Sequence, residues 1–364
     1  MKFLFFLVHP AKFNFHRVQI NELKARGHQV DVLIIKKDIL EDLVKEEGWE
    51  FTNIFPEGRK VKGMHVYVGA LISLFRTVFR LLKYTRGKKY DLFIGDLLTI
   101  TGRLKGVPSL YPTDDVIRQV PEQSVFLFST NHIIAPKITE LGKFNKKKVW
   151  YDGYKALAHL HPNHFHPDKL KIPETIRNKP FFLIRCVGFA ATHDINKAGI
   201  DDAVLMKMVD KLKDYGTIFI SSERKLPGDL EKYKISIPKR DIGHFIYFAS
   251  LLISDSTTMS AEACVLGTPS IEYDTYFNEI EQMEELQHKY GLSYGIRPPD
   301  EKALLDKIGE LLSMPDLEQV FRAKAARLIA DKIDVSAFLT WFYENYPVSY
   351  REYLKDPELQ YRFK

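Results

Sequence analysis

Residues 3–8 form an unbroken apolar run, FLFFLV. A strand that is apolar on both faces has to be covered on both faces, which is the environment of a central parallel strand. Helical spacing follows over residues 14–26 and stops at Gly27, a suitable residue just past a helix end. Residues 30–35 begin the next strand, and 91–95, 108–111, 125–129 and 148–151 read as further strands. From 162 to 180 the chain turns polar and carries Pro162, Pro167, Pro173 and Pro180, the pattern of a linker. The alternation then restarts. Strands are expected at 181–187, 217–221, 251–254 and 270–273, and helices at 201–214, 242–249 and 258–266, with mostly helix from 279 onward. Strands alternating with helices predict parallel sheets with helices on both faces.

A length of 364 residues suits two such domains. We expect an α/β protein of two doubly wound domains, 1–168 and 178–335, facing a cleft, with a helical tail, 336–364, returning to the first domain. Apolar residues at 45% and charged residues at 27% exclude a disordered or collagenous chain. The net charge of +6 favours anionic or phosphorylated small partners and falls short of a nucleic-acid-binding balance. Two cysteines, Cys186 and Cys264, make no disulfide framework and suit a reducing compartment. The apolar run at the start is broken by His9 and Pro10, with no small-residue cleavage site after it, so a buried first strand and a cytoplasmic protein are expected.

The passage LLISDSTTMSAEACVLGTP, residues 251–269, carries the most chemistry. An apolar strand ends at Asp255, Ser256, Thr257 and Thr258 fill the turn, and a helix begins. The free N–H groups and positive dipole end of a helix start attract an anion, and the three hydroxyls add donors for phosphate oxygens. Glu262 lies at i+4 from Thr258, on the same face, where a carboxylate can accept both hydroxyls of a ribose. The structural alternative is an ordinary helix cap with Glu262 in solvent.

The string SDSTTMSAEACVLGTPSI resembles the donor-site segment of glycosyltransferase-B-fold proteins and of UDP-N-acetylglucosamine 2-epimerases. It is most similar to the domain-of-unknown-function family 354 of that superfamily. His9-Pro10 with residues 13–16, the passage KVWYDGYK at 148–155, and Arg185 followed by His193-Asp194 resemble the same family in order along the chain. Ser256-Thr257-Thr258 stand where the superfamily usually has Gly-Gly. The resemblance implies a glycosyltransferase-B-like fold of two Rossmann-like domains, an acceptor domain followed by a nucleotide-sugar domain. It implies transfer of a sugar from a nucleoside diphosphate to a sugar or lipid-linked acceptor in surface-polysaccharide assembly. A 2-epimerase, and a non-catalytic binding protein that keeps the fold, are the alternatives. The nucleotide sugar is then a substrate, and no cofactor is expected.

Further candidates lie where open α/β sheets gather ligands, outside the carboxyl ends of the strands. His9, Asn14 and His16 open the first helix, and either imidazole could take an acceptor's proton. Asp96 follows the strand 91–95, and Gly95-Asp96 is similar to a dipeptide of the 2-epimerases; Asp114 and Asp115 follow the next strand. Arg185, inside an apolar strand, needs a partner or an anionic ligand, and His193 is a candidate for the leaving diphosphate. Ser221, with Ser222 and Glu223, ends a strand that can border the base. His159, His161, His164 and His166 crowd together, but their spacing suits no helical pair and no metal site is expected. No Asp-x-Asp is present, so charge on the departing diphosphate is expected to fall to the helix start and Arg185. Residues 69–86 form an amphipathic pattern with Arg76, Arg80, Lys83 and Arg86 in one stripe, suited to a core-packing helix or to peripheral contact with an anionic membrane face through 70–86.

Overall fold

The computed structural model describes residues 1–37, 39–59, 66–118, 120–187, 198–222, 224–238, 240–276 and 279–364. The chain divides into two compact units, one of residues 1–159 with 333–364 and one of residues 160–332. Each is an α/β unit around one parallel sheet.

In the first unit the strands are β1 (Lys2–Leu7), β2 (Gln29–Ile34), β3 (Thr52–Asn53), β4 (Leu92–Ile94), β5 (Ser109–Pro112), β6 (His132–Pro136) and β7 (Lys148–Tyr151). Their order across the sheet is β3-β2-β1-β4-β5-β6-β7, and every pair is parallel. The apolar run does what its composition demands: Phe3, Leu4 and Phe5 are wholly buried at the sheet centre. Order reverses between β1 and β4, because β2 continues to one side of β1 and β4 to the other. Such a reversal leaves a crevice at the carboxyl ends of the two strands. The helix Pro10–Ala25 enters there, capped by His9, whose Nδ1 accepts from the Ala11 N–H at 3.2 Å. The helix Val335–Glu344 packs on Pro10–Ala25, so the chain end from Ile333 belongs to this unit.

One strand was misplaced by the apolar pattern. Residues 125–129 are within the helix Ser124–Ser129, which follows a turn opened by Pro121, and the strand is β6, three residues further on. A four-residue apolar run such as 125–128 fits either period, and the Pro136 that ends β6 disguises the strand.

In the second unit the strands are β8 (Phe181–Cys186), β9 (Thr217–Ser222), β10 (Leu251–Ser254), β11 (Ser270–Tyr273) and β12 (Ser293–Ile296), in the order β12-β11-β10-β8-β9, all parallel. Here the reversal falls between β8 and β10. The proline-bearing stretch 162–180 is packed into this unit and is no solvated linker. Ile172 and Ile176 are buried, and the Asp168 N–H donates to His244 Nδ1 at 3.0 Å on the helix Ile242–Phe248.

Candidate functional site

Two groups of polar side chains stand at the carboxyl ends of the strands, one in each unit. In the first unit the turn after β4 is made by Gly95, whose φ is +131°. A Cβ there would meet the Phe6 carbonyl oxygen of β1 at 2.7 Å, so only glycine lets β4 turn this tightly against β1. The turn delivers Asp96, partly accessible, to the reversal point. Burial pushes its carboxyl above the ordinary value, against the pull of Lys12 and Arg59, while Asp115 adds to the rise. Lys12 sits in the first turn of the helix Pro10–Ala25; its ammonium donates to the Pro112 carbonyl at 2.6 Å and stands 5.5 Å from the centre of the Tyr111 ring.

The end of β5 completes the group. Asp115 accepts from the Gln123 amide at 2.5 Å, Gln123 accepts from the Tyr111 hydroxyl at 2.8 Å, and Asp114 accepts from the Lys155 ammonium at 2.9 Å. Asp96 is thus a carboxyl raised by burial with the Lys12 ammonium near it, and the Lys155 ammonium stands at Asp114 in the same group. Asp96 can exchange a proton with a hydroxyl or a carbon acid, and the ammonium groups can hold a ligand's negative charge. Lys12 was not among the sequence candidates; the signal for it was its place in the first helical turn after a central strand. Lys155 lay in the passage singled out at 148–155 without a role.

His16 has a different setting. It is buried, its Nδ1 pairs with Gln19 Oε1 at 3.1 Å, the Gln19 amide donates to Ser336 Oγ at 2.7 Å, and Ser336 donates to the Ala158 carbonyl. Burial first, then Lys12, depresses the ring to about 3, so the imidazole is neutral and weakly basic. His16 belongs to a buried chain of hydrogen bonds that ties the helix Pro10–Ala25 to Val335–Glu344. His9 is exposed and serves as the helix cap, and Asn14 is half-buried one turn on.

In the second unit the helix Thr257–Leu266 starts at the expected turn. Ser256 is its cap, accepting from the Met259 N–H at 3.5 Å, and Ser254 Oγ accepts from the Ser256 N–H at 2.8 Å. Among the described residues the N–H groups of Thr257 and Thr258 have no protein acceptor. Glu262 is only 5% exposed, which removes the solvated-surface alternative for it. Arg185 on β8 donates from Nη1 to Ser221 Oγ of β9 at 3.1 Å, so these two predicted residues meet. His193 and Asp194, and Glu223, lie outside the described residues.

This corner is more acidic than the sequence pattern indicates. Asp255 accepts from the Val187 N–H at 2.7 Å and from the Ile200 N–H at 3.1 Å, across the reversal between β8 and β10. Burial, with Asp274 nearby, pushes its carboxyl up to about 7 despite those bonds. Glu272 of β11, 3% exposed, is raised well above the ordinary range by burial and by Asp274, with the Thr257 hydroxyl opposing. These acids share the positive field of the helix start. Among the described residues no group of three or more His, Cys, Asp or Glu is placed to hold a metal ion.

Comparison with known proteins places this architecture in a class. No family model matches the chain, and no curated protein matches it in sequence. Solved structures do match in fold. UDP-GlcNAc 2-epimerase from Neisseria meningitidis, solved with UDP-GlcNAc, aligns with a TM-score of 0.63 at 12% identity over 91% of this chain and 99% of that one. The glycotransferase of kitacinnamycin aligns at 0.60 and 13% identity over 94% and 98%, and MurG of Acinetobacter baumannii at 0.56 and 12% over 93% and 98%. The chain therefore has the glycosyltransferase-B fold of two Rossmann-like domains, shared by glycosyltransferases and UDP-GlcNAc 2-epimerases.

Proposed function

We propose that this chain binds a nucleoside-diphosphate sugar on its second unit and transfers the sugar to a hydroxyl held by its first unit, in the building of a surface polysaccharide. The observation that carries this reading is the group around Asp96: a carboxyl raised by burial, beside Lys12, at the reversal point of the first sheet. In this reading Asp96 takes the acceptor's proton as the new bond forms. Lys12 and Lys155 hold the acceptor and its charge. On the second unit the Thr257 and Thr258 N–H groups, the hydroxyls of Ser256–Thr258 and Arg185 stabilise the departing diphosphate. Glu262 accepts from the ribose hydroxyls, and Ser221 and His193 complete the donor side. No metal takes part, since the helix start and Arg185 supply the positive field.

The second reading is epimerisation at C2 of UDP-N-acetylglucosamine. It is favoured by the UDP-GlcNAc 2-epimerases among the fold neighbours and by the same Asp96 and Lys12, which suit proton movement on a sugar as well as on an acceptor. One experiment separates the two. The chain is incubated with UDP-N-acetylglucosamine and with other nucleotide sugars, in EDTA, with and without sugar acceptors, and products are read by NMR. Glycoside that appears only with acceptor supports transfer; the 2-epimer formed without acceptor overturns it in favour of the isomerase. No product together with no calorimetric heat for UDP or GDP defeats both and leaves a fold without nucleotide chemistry.

A further inference from the structure

The helix Val66–Tyr84 is apolar on two sides, and the first unit packs only one of them. Leu74, Val78 and Leu81 join the core around Phe93 and Leu98. Val68, Leu71, Phe75 and Phe79 follow one another at three, four and four residues, which sets them in one stripe. That stripe stands in solvent: Leu71 is 55% exposed, Phe75 64% and Phe79 68%. The helices Leu98–Lys105 and Ser124–Ser129 pack in succession beside it and add Leu104, Val125 and Phe128, all exposed. Half of the exposed large apolar side chains among the described residues are on these three helices. Exposed apolar side chains concentrated on three neighbouring helices in this way mark an interaction site.

The charge that the helix itself carries has one sign. Between Glu57 and Asp91 the chain contains no Asp or Glu. Arg76 and Arg80 are engaged by Glu57, but Lys83 and Arg86 are exposed along the stripe's far end. Lys143 stands 4.7 Å from the centre of the Phe128 ring, carrying the cationic border across to the third helix.

We propose that this face of the first unit lies on an anionic lipid bilayer. Phe75, Phe79 and Leu71 enter the boundary between headgroups and acyl chains, while Lys83 and Arg86 meet acidic headgroups. The charge decides the occupant. A second copy docked through the same patch would set Lys83 and Arg86 against their own counterparts or leave them unmatched. No described helix is long and apolar enough to cross a membrane, so this one lies along the surface.

The test is co-sedimentation of the full chain with vesicles of phosphatidylcholine alone and with added phosphatidylglycerol. Binding to the anionic vesicles is expected to be at least about tenfold tighter and to weaken with salt. The double substitution Phe75→Glu with Phe79→Glu is expected to abolish it, and Lys83→Glu with Arg86→Glu to erase the preference for anionic lipid. Both pairs replace exposed side chains, so thermal melts should match the parent; Phe79→Gln alone replaces the first pair if its melt does not. No binding to anionic vesicles, or equal binding by parent and phenylalanine variant, overturns the proposal. So does a dimer seen by light scattering that Phe79→Glu dissolves, since the stripe would then belong to a second copy.

Discussion

Gly95 turns beneath the Phe6 carbonyl so closely that a Cβ on it would stand 2.7 Å from that oxygen. The contact joins β4 to β1 at the sheet reversal, and Asp96 owes its position to it. Gly95→Ala must move backbone in a close-packed region and also strain a residue at φ +131°. A loss of about 1–3 kcal/mol in unfolding free energy is expected, the usual range for overpacking. Urea denaturation measures it, and an unchanged midpoint would mean the turn relaxes freely.

Asp255 gives a pH dependence whose sign can be fixed in advance. Its carboxyl sits at about 7 in the folded chain against 3.8 for the ordinary group. The native state therefore keeps a proton that the unfolded chain releases. The group's stabilising contribution is full below about pH 4 and is lost as pH rises to about 7, at no more than about 1.4 kcal/mol per pH unit. Asp255→Asn removes this titration while keeping one acceptor for the Val187 or Ile200 N–H. The stability of the parent relative to the variant should fall steadily between pH 4 and 7 in urea titrations. A flat difference across that window would show Asp255 ionised throughout.

What the sequence reveals depends on how local the cause is. The buried run at Phe3, Leu4 and Phe5 has its reason in its own composition, so β1 was legible, and so was the restart of the pattern at β8. The cap at Ser256 is equally local, because a hydroxyl before an apolar helix has few other uses. Lys12 was not legible as a site residue, since the Pro112 carbonyl it binds is 100 residues away. The buried setting of His16 was not legible either, because Ser336, which fixes its partner Gln19, lies 317 residues beyond that glutamine. Glu272 was hidden inside the short strand SIEY, and only the register of β11 beside β10 brings its carboxyl to the helix start.

Lys12 tests whether the group around Asp96 acts as a unit. Its ammonium opposes the rise that burial imposes on the Asp96 carboxyl. Lys12→Met removes the charge and keeps much of the stem. The Asp96 carboxyl, followed by carbon-13 NMR against an Asp96→Asn control, should titrate at a higher pH than in the parent. The acid limb of any pH–rate profile should move the same way, because a base that holds its proton longer needs higher pH to act. An unmoved Asp96 titration would separate the two residues and leave Lys12 as a brace on the Pro112 carbonyl.

Glu262 bears on the donor side alone. A carboxylate 5% exposed on the helix that starts at Thr257 has left water, and it needs hydrogen-bond donors to compensate. If ribose hydroxyls supply donors in the complex, Glu262→Gln exchanges a charged acceptor for a neutral one of the same shape. Affinity for UDP or GDP should then drop by about 1–3 kcal/mol, the range for hydrogen bonds to charged groups. Calorimetry reads the affinity, and a thermal melt of the unliganded variant separates a binding effect from a folding one. Parent-like affinity with a lowered melting temperature would make Glu262 part of the second unit's own packing, and the ribose would have to be held elsewhere.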